Sequence, residues 1–152
     1  MNFYMLKILY KKIIKFWPQL LILFFWLCFF TPVFKGYMPL PQDALIGSYF
    51  PWLDYDYGYP TGVPVRNPTM SDVFAQEYPW RLAVMQGWQS GEIPLWNPYS
   101  FSGSPLAANW QSAVFYPLTL MMVLGGSILG WNALIMAQPL LSMLFMFIYL
   151  RS

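Results

Sequence analysis

The sequence predicts an all-α integral membrane protein, with two transmembrane helices joined by a long extracytoplasmic loop that carries short juxtamembrane helices. Three observations predict it. Only 9% of the 152 residues are charged, against 58% hydrophobic and 21% aromatic, whereas soluble domains run at about 25% charged. Two stretches, 16–34 and 93–150, carry no charge at all. The charges that remain are sorted by position. Lys7, Lys11, Lys12 and Lys15 precede the first stretch, and all six acids (Asp43, Asp54, Asp56, Asp72, Glu77 and Glu92) lie between the two. With Arg66 and Arg81, residues 43–92 are left at −4, although the whole chain, with Lys35 and Arg151 added, is +2. Histidine is absent and Cys28 is the one cysteine, which excludes Ser-His-Asp and Cys-His catalysis, histidine metal sites and an internal disulfide. Any chemistry rests on carboxylates, arginines, amides and hydroxyls.

Residues 1–15 form the first element. Lys7, Lys11 and Lys15 recur every four residues and predict a basic stripe on an amphipathic helix at the cytoplasmic side, or a plain extension of the span that follows. The nineteen uncharged residues 16–34 match the hydrocarbon core of roughly 30 Å and are the first transmembrane helix. A cleaved signal peptide is the competing reading. Its apolar part normally runs only about 7–15 residues and ends in small side chains, whereas this one closes on Phe29, Phe30, Thr31, Pro32, Val33 and Phe34. Phe25, Trp26 and Leu27 before Cys28 are too bulky for lipoprotein-type processing. Four lysines before the span and net acidity after it place the N-terminus in the cytoplasm.

Residues 35–112 are the extracytoplasmic loop. Ten prolines fall in 36–112 beside about fifteen aromatics, and since disordered chains are poor in aromatics, an ordered loop of short helices and proline turns is expected. Thr69 to Asp72 offer an N-cap for a helical segment over 73–77, and Pro79 opens a further one running through Trp88 and ending at Gly91. Leu82, Met85 and Trp88 or Gln89 share a face there, which reads as packing. Asp43, Tyr49, Pro51 and Trp52 are echoed by Asp72, Tyr78, Pro79 and Trp80. Each aspartate suits the start of a short helix, where it stays ionised for proton acceptance or metal binding; two helix caps with aromatic anchors are the competing reading. Asp54, Asp56 and Gly58 begin like a calcium loop, but the rest of its ligand pattern is missing, so they read as a polar turn. Pro68 disqualifies Asn67 as a glycosylation acceptor.

The second apolar region divides at Gly125, Gly126 and Ser127. Residues 113–129 are expected to hold an interfacial or re-entrant helix opened by Pro117, because 114–124 reach only about 16 Å. Residues 130–150 are the second span, returning to the cytoplasm at Arg151. A tight hairpin of two spans with Arg151 outside is the alternative.

The stretch from Glu92 to Leu118 carries Pro94, Trp96, Asn97, Pro98, Tyr99, Phe101, Gly103, Pro105, Asn109, Trp110, Gln111, Phe115, Tyr116 and Pro117. It closely resembles the N-terminal region of the bacterial YfhO-type membrane protein family. Tyr78, Pro79, Trp80 and Arg81 after Asp72, and Asp43 beyond the first span, look like the same family, and the resemblance covers nearly the whole chain. It implies the N-terminal part of a GT-C-like fold in a multi-pass protein of the bacterial cytoplasmic (inner) membrane. The implied activity is transfer of a sugar from a polyprenyl-phosphate donor to a cell-envelope acceptor on the outer face.

By that resemblance Asp43 and Asp72 are the candidate catalytic carboxylates, either serving as base or as ligand to a divalent cation, Mg or Mn. Arg81 and Arg66, the two arginines of the loop, are candidate partners of the donor phosphate, since a guanidinium fork matches phosphate geometry; Lys35 is a third option. Interfacial anchoring, or pairing with Glu77 or Asp56, is their competing role. Tyr78, Trp80, Trp96, Asn97 and Asn109 make up the candidate substrate loop. Stacking on sugar or prenyl groups and membrane anchoring remain alternative uses of its aromatics and of Trp88 and Trp110. Partners expected are the bilayer, the lipid-linked sugar and the acceptor, with no nucleic acid. Relatives in this family carry many more spans, so the chain is expected to be an N-terminal piece or a truncated product, inactive alone. The alternative function is a non-catalytic membrane scaffold that binds a partner or envelope polymer through its aromatic loop.

The charge sorting makes a direct prediction. Alkaline phosphatase fused after Ser112 should be active, and a fusion after Lys15 inactive; the reverse pattern would overturn the orientation.

Overall fold

The computed structural model describes the backbone from Phe3 to Ser152 and the side chains from Phe16 onward; the lysine stripe expected over 1–15 lies outside the described residues. Among these, helix dominates: α1 (Phe3–Phe29), α2 (Thr31–Phe34), α3 (Gln42–Ser48), α4 (Tyr78–Gln89), α5 (Leu120–Gly125) and α6 (Trp131–Tyr149), with short 3₁₀ and π turns between them. The two-residue strands β1 (Trp96–Asn97) and β2 (Ser104–Pro105) pair antiparallel, Trp96 opposite Pro105 and Asn97 opposite Ser104. Two compact units result. One is the N-terminal part through Tyr37 together with Ile135–Ser152, and the other is Met38–Leu134.

In the first unit α1 is apolar over Phe16–Phe29 and stops before the Thr31-Pro32 step. Pro32 has no N–H to continue the ladder, which would leave the Cys28 carbonyl without a donor. The Thr31 hydroxyl donates to that oxygen at 2.8 Å and to the Leu27 oxygen at 3.1 Å. The first expected span is thus one long helix and a short one, broken at a proline. The Trp26 indole N–H donates to the Met136 carbonyl of α6 at 2.7 Å, three residues before the ladder is weakened by Pro139.

In the second unit Asn67 and Pro68 start a continuous helical stretch earlier than Asp72. The Asn67 side chain accepts from the Thr69 amide at 3.2 Å, and Pro68 holds the first helical position. A 3₁₀ turn, a π turn over Val73–Glu77 and then α4 follow without a break. Asp72 therefore lies inside helical backbone and makes no capping bond. The echo around Asp43 and Asp72 does not give matching structures, because Tyr49 is extended and ends α3 while Tyr78 begins α4. Val84 of α4 packs with Leu106 and Val114 in a core flanked by Trp80, Ala83, Trp88 and Ala107. Burial of each large apolar side chain of this kind contributes about 1.5–3 kcal/mol.

Helical hydrogen bonding from Pro117 to Tyr149 makes one run of 33 residues, the one among the described residues long and apolar enough to cross a membrane. That run is not straight. Gly126 takes φ 75° and ψ −172°, a conformation glycine adopts without Cβ strain. A Cβ at Gly130 would collide with the Met122 Cα and lie 2.5 Å from the Met121 carbonyl oxygen. Residues eight apart in a straight helix stand about 12 Å apart, so the chain doubles back and α5 packs on the start of the next helix. α5, with six residues, reaches only about 9 Å. α6, with nineteen, reaches about 28 Å and suits a bilayer core. The sequence break at Gly125–Gly126 is therefore a true change of direction.

Gly130→Ala should destabilise the protein by about 1–3 kcal/mol, since the Met121–Met122 backbone leaves no room for a methyl. Thermal unfolding in detergent, followed by tryptophan fluorescence, should show a lower midpoint; an unchanged midpoint would mean that the α5–α6 approach is not tight.

Candidate functional site

Asp43 stands in the first turn of α3. Segment 63–66 crosses beside it: a Cβ at Gly47 would lie 2.6 Å from the Val65 side chain, and the Arg66 backbone N–H donates to Asp43 Oδ2 at 2.8 Å. The structure thus joins two predicted site residues, but through the Arg66 amide rather than its guanidinium. Arg66 itself is exposed, as is Asp72. Among the described residues no three His, Cys, Asp or Glu side chains gather as a metal site. Among the described residues the donor set does not form a protein cage for Mg or Mn.

Arg81 has a different setting. It projects from α4, half-buried, and Nη1 donates a long bond to the Thr119 hydroxyl at 3.4 Å while the guanidinium lies 5.9 Å from the centre of the Tyr116 ring. Burial lowers its pKa from the ordinary arginine value, and Glu77 and Tyr116 oppose that shift. A guanidinium remains charged after any modest lowering, so the fold holds a partly desolvated cation. Thr119 is only 2% exposed and is fully used: its hydroxyl donates to the Ala113 carbonyl at 2.9 Å and accepts from Arg81. Ala113 presents that carbonyl from a left-handed backbone conformation, φ 52°.

Tyr116 and Thr119 also line a cavity of about 570 Å³, with Trp88, Val114, Phe115, Pro117, Leu120 and Val123 as its other walls. Trp88 is fixed there by its indole N–H, which donates to the Val114 carbonyl at 3.1 Å, and by an edge-on contact with Phe115. Ligand pockets of about 300–1,000 Å³ with apolar walls and a few polar groups are the usual form of small-molecule sites. This one has apolar walls, and two of them, Tyr116 and Thr119, are the residues that Arg81 touches, although Arg81 itself does not line it. Thr119 and Tyr116 were not singled out as site residues by the sequence. The available signal was the Thr119 hydroxyl, three residues after Tyr116 and flanked by leucines.

The predicted substrate-loop residues separate into two groups. Tyr78 donates to the Ser127 carbonyl at 3.3 Å and meets the Trp131 ring edge-on, while Trp80 packs on the core. Asn97, 3% exposed, donates to the Ser100 hydroxyl and accepts from the Tyr99 amide. Asn109 accepts from the Gln111 amide and caps the 3₁₀ turn over Trp110–Ser112. These four hold the fold. Trp96 remains exposed at 56%, lying over Gly103.

Comparison of the chain with protein-family models, with curated proteins and with solved structures finds no match.

The Asp43 contact separates two roles by substitution. Asp43→Asn keeps an acceptor for the Arg66 amide and should leave stability within about 0.5 kcal/mol, whereas Asp43→Ala should cost about 0.5–1.5 kcal/mol. Chemical unfolding in detergent reads the difference; equal stability of the two variants would remove the structural role of the contact.

Proposed function

We propose that this chain belongs to a GT-C-like, YfhO-type glycosyltransferase of the bacterial cytoplasmic membrane, with 16–34 and 130–150 as spans and the region between them on the outer face. Its part in that reaction is to hold the polyprenyl-phosphate end of a lipid-linked sugar. The observation that carries this reading is the apolar cavity beside Arg81. A prenyl phosphate is an apolar chain ending in an anion, and the cavity offers Val114, Phe115, Leu120 and Val123 to the chain, with Arg81 behind the wall residues Tyr116 and Thr119 that it contacts.

The electrostatics favour this use. Charge attraction is stronger where water is excluded, so the half-buried Arg81 is a better phosphate partner than the exposed Arg66. As sugar leaves the donor, negative charge grows on the phosphate, and a cation already in place stabilises it without rearrangement. Transfer also needs a carboxylate to take the acceptor proton. Asp43 and Asp72 remain the candidates for that role, and Asp43 keeps an oriented carboxylate through the Arg66 amide.

Binding of farnesyl phosphate to the purified protein tests the phosphate site. Arg81→Gln should weaken it roughly 10–100-fold, as expected for loss of a charge-assisted bond worth about 1.5–3 kcal/mol; farnesol, without the phosphate, should bind both proteins alike. Equal affinity of wild type and variant for farnesyl phosphate would overturn the site. Normal sugar transfer in a protein carrying both Asp43→Asn and Asp72→Asn would overturn the carboxylate assignment and favour the scaffold reading.

A further inference from the structure

Arg81 is not the only charged group on its side of the helix. Glu77 ends the π turn over Val73–Glu77, and Arg81 follows one α turn later in unbroken helical backbone; residues four apart share a helix face. Both side chains are half-buried. The guanidinium directs its hydrogen bond to the Thr119 hydroxyl, so Glu77 acts on it through charge: burial lowers the Arg81 pKa, and the Glu77 carboxylate, ahead of Tyr116, raises it. Asp43 is taken up by the Arg66 amide and Asp72 is exposed, which leaves Glu77 as the acid whose charge reaches Arg81. π turns within helices gather at functional sites, and this one delivers the carboxylate to the start of α4.

A cation with no acid beside it would select the product over the donor. Transfer of the sugar breaks the bond between its anomeric carbon and the phosphate oxygen, joins that carbon to the acceptor oxygen and passes the acceptor proton to a carboxylate. The prenyl phosphate that leaves is a monoester carrying about −2 at pH 8, whereas the donor is a diester with a single negative charge. Coulombic attraction grows with the charge of the ligand, so Arg81 alone would hold the product more tightly. Glu77 opposes this, because its repulsion doubles when the ligand charge doubles, and a second charge is costly to hold where water is partly excluded.

We infer that Glu77 is the specificity-determining residue of the Arg81 site: it offsets the advantage of a doubly charged phosphate monoester and so favours a singly charged lipid phosphodiester. This rests on the phosphate reading of Arg81 above, and the test separates the two. Full-length protein in detergent at pH 8 is titrated with farnesyl phosphate and with its methyl diester, and the ratio of the two affinities is compared between variants. Glu77→Gln should tighten the monoester roughly 3–10-fold and the diester only about 2–3-fold, since halving the ligand charge halves the repulsion energy. Glu77→Asp keeps the charge and should keep the wild-type ratio. Glu92→Gln, at an exposed acid beyond the end of α4, should not move it. An unchanged ratio in Glu77→Gln, or an equal shift in Glu77→Asp or Glu92→Gln, would overturn the selectivity role and leave Glu77 as a packing neighbour of Arg81 or as one charge among several. Should Arg81→Gln bind both ligands as the wild type does, the phosphate reading itself fails.

Discussion

The reversal at Gly125–Gly130 is the constraint on which the second unit depends. With no side chain at Gly130, the backbone of Met121 and Met122 can approach it directly, and Gly126 supplies the non-helical step that permits this. Everything nearby uses the resulting geometry. Met122 reaches zero exposure, the Tyr78 hydroxyl finds the Ser127 carbonyl, and the Trp131 indole N–H reaches the Pro39 carbonyl at 3.1 Å. A straight helix through this segment would carry Met122 away from Gly130 and lose the set together. Packing interactions of this density have little tolerance for added volume.

Thr119 links that packing to the chemistry. It lies just before α5 and its hydroxyl has two partners, one structural at Ala113 and one cationic at Arg81. The position of α5 therefore sets where the guanidinium is held and how much water reaches it. The two arginines of the central region illustrate the consequence. They have the same charge and the same bonding geometry, yet Arg66 contributes its backbone amide to Asp43 and leaves its side chain exposed, while Arg81 is half-buried against Thr119 and Tyr116. Local dielectric, not residue type, distinguishes the two cations.

The tryptophans and tyrosines divide in a similar way. Trp80, Trp88, Trp131 and Tyr78 are packed or hydrogen-bonded into the unit. Tyr99, Phe101 and Trp110 are turned away from it. An aromatic-rich composition thus builds a core without charged residues and leaves other rings on the surface.

The sequence alone determined the features that depend on neighbours in the chain. Pro117 after Tyr116 opens a helical turn as its missing N–H and fixed φ require. The glycines at 125–126 redirect the backbone, and the last helix begins at Trp131 and ends at Tyr149, one residue from its expected end at Leu150. The helix expected from Asp72 begins instead at Pro68, because Asn67 caps the turn and proline occupies the first position; those residues were legible, but competed with a plausible cap later in the chain. Tertiary structure alone decided which polar groups meet. Asp43 and the Arg66 amide are 23 residues apart, and Arg81 and Thr119 are 38 apart. Periodicity and capping act over a turn or two of chain. The partner of a carboxylate, the desolvation of a guanidinium and the choice of which aromatic is covered depend on which segments pack together, and the close approach at Gly130 settles that packing for the α5 side of the unit.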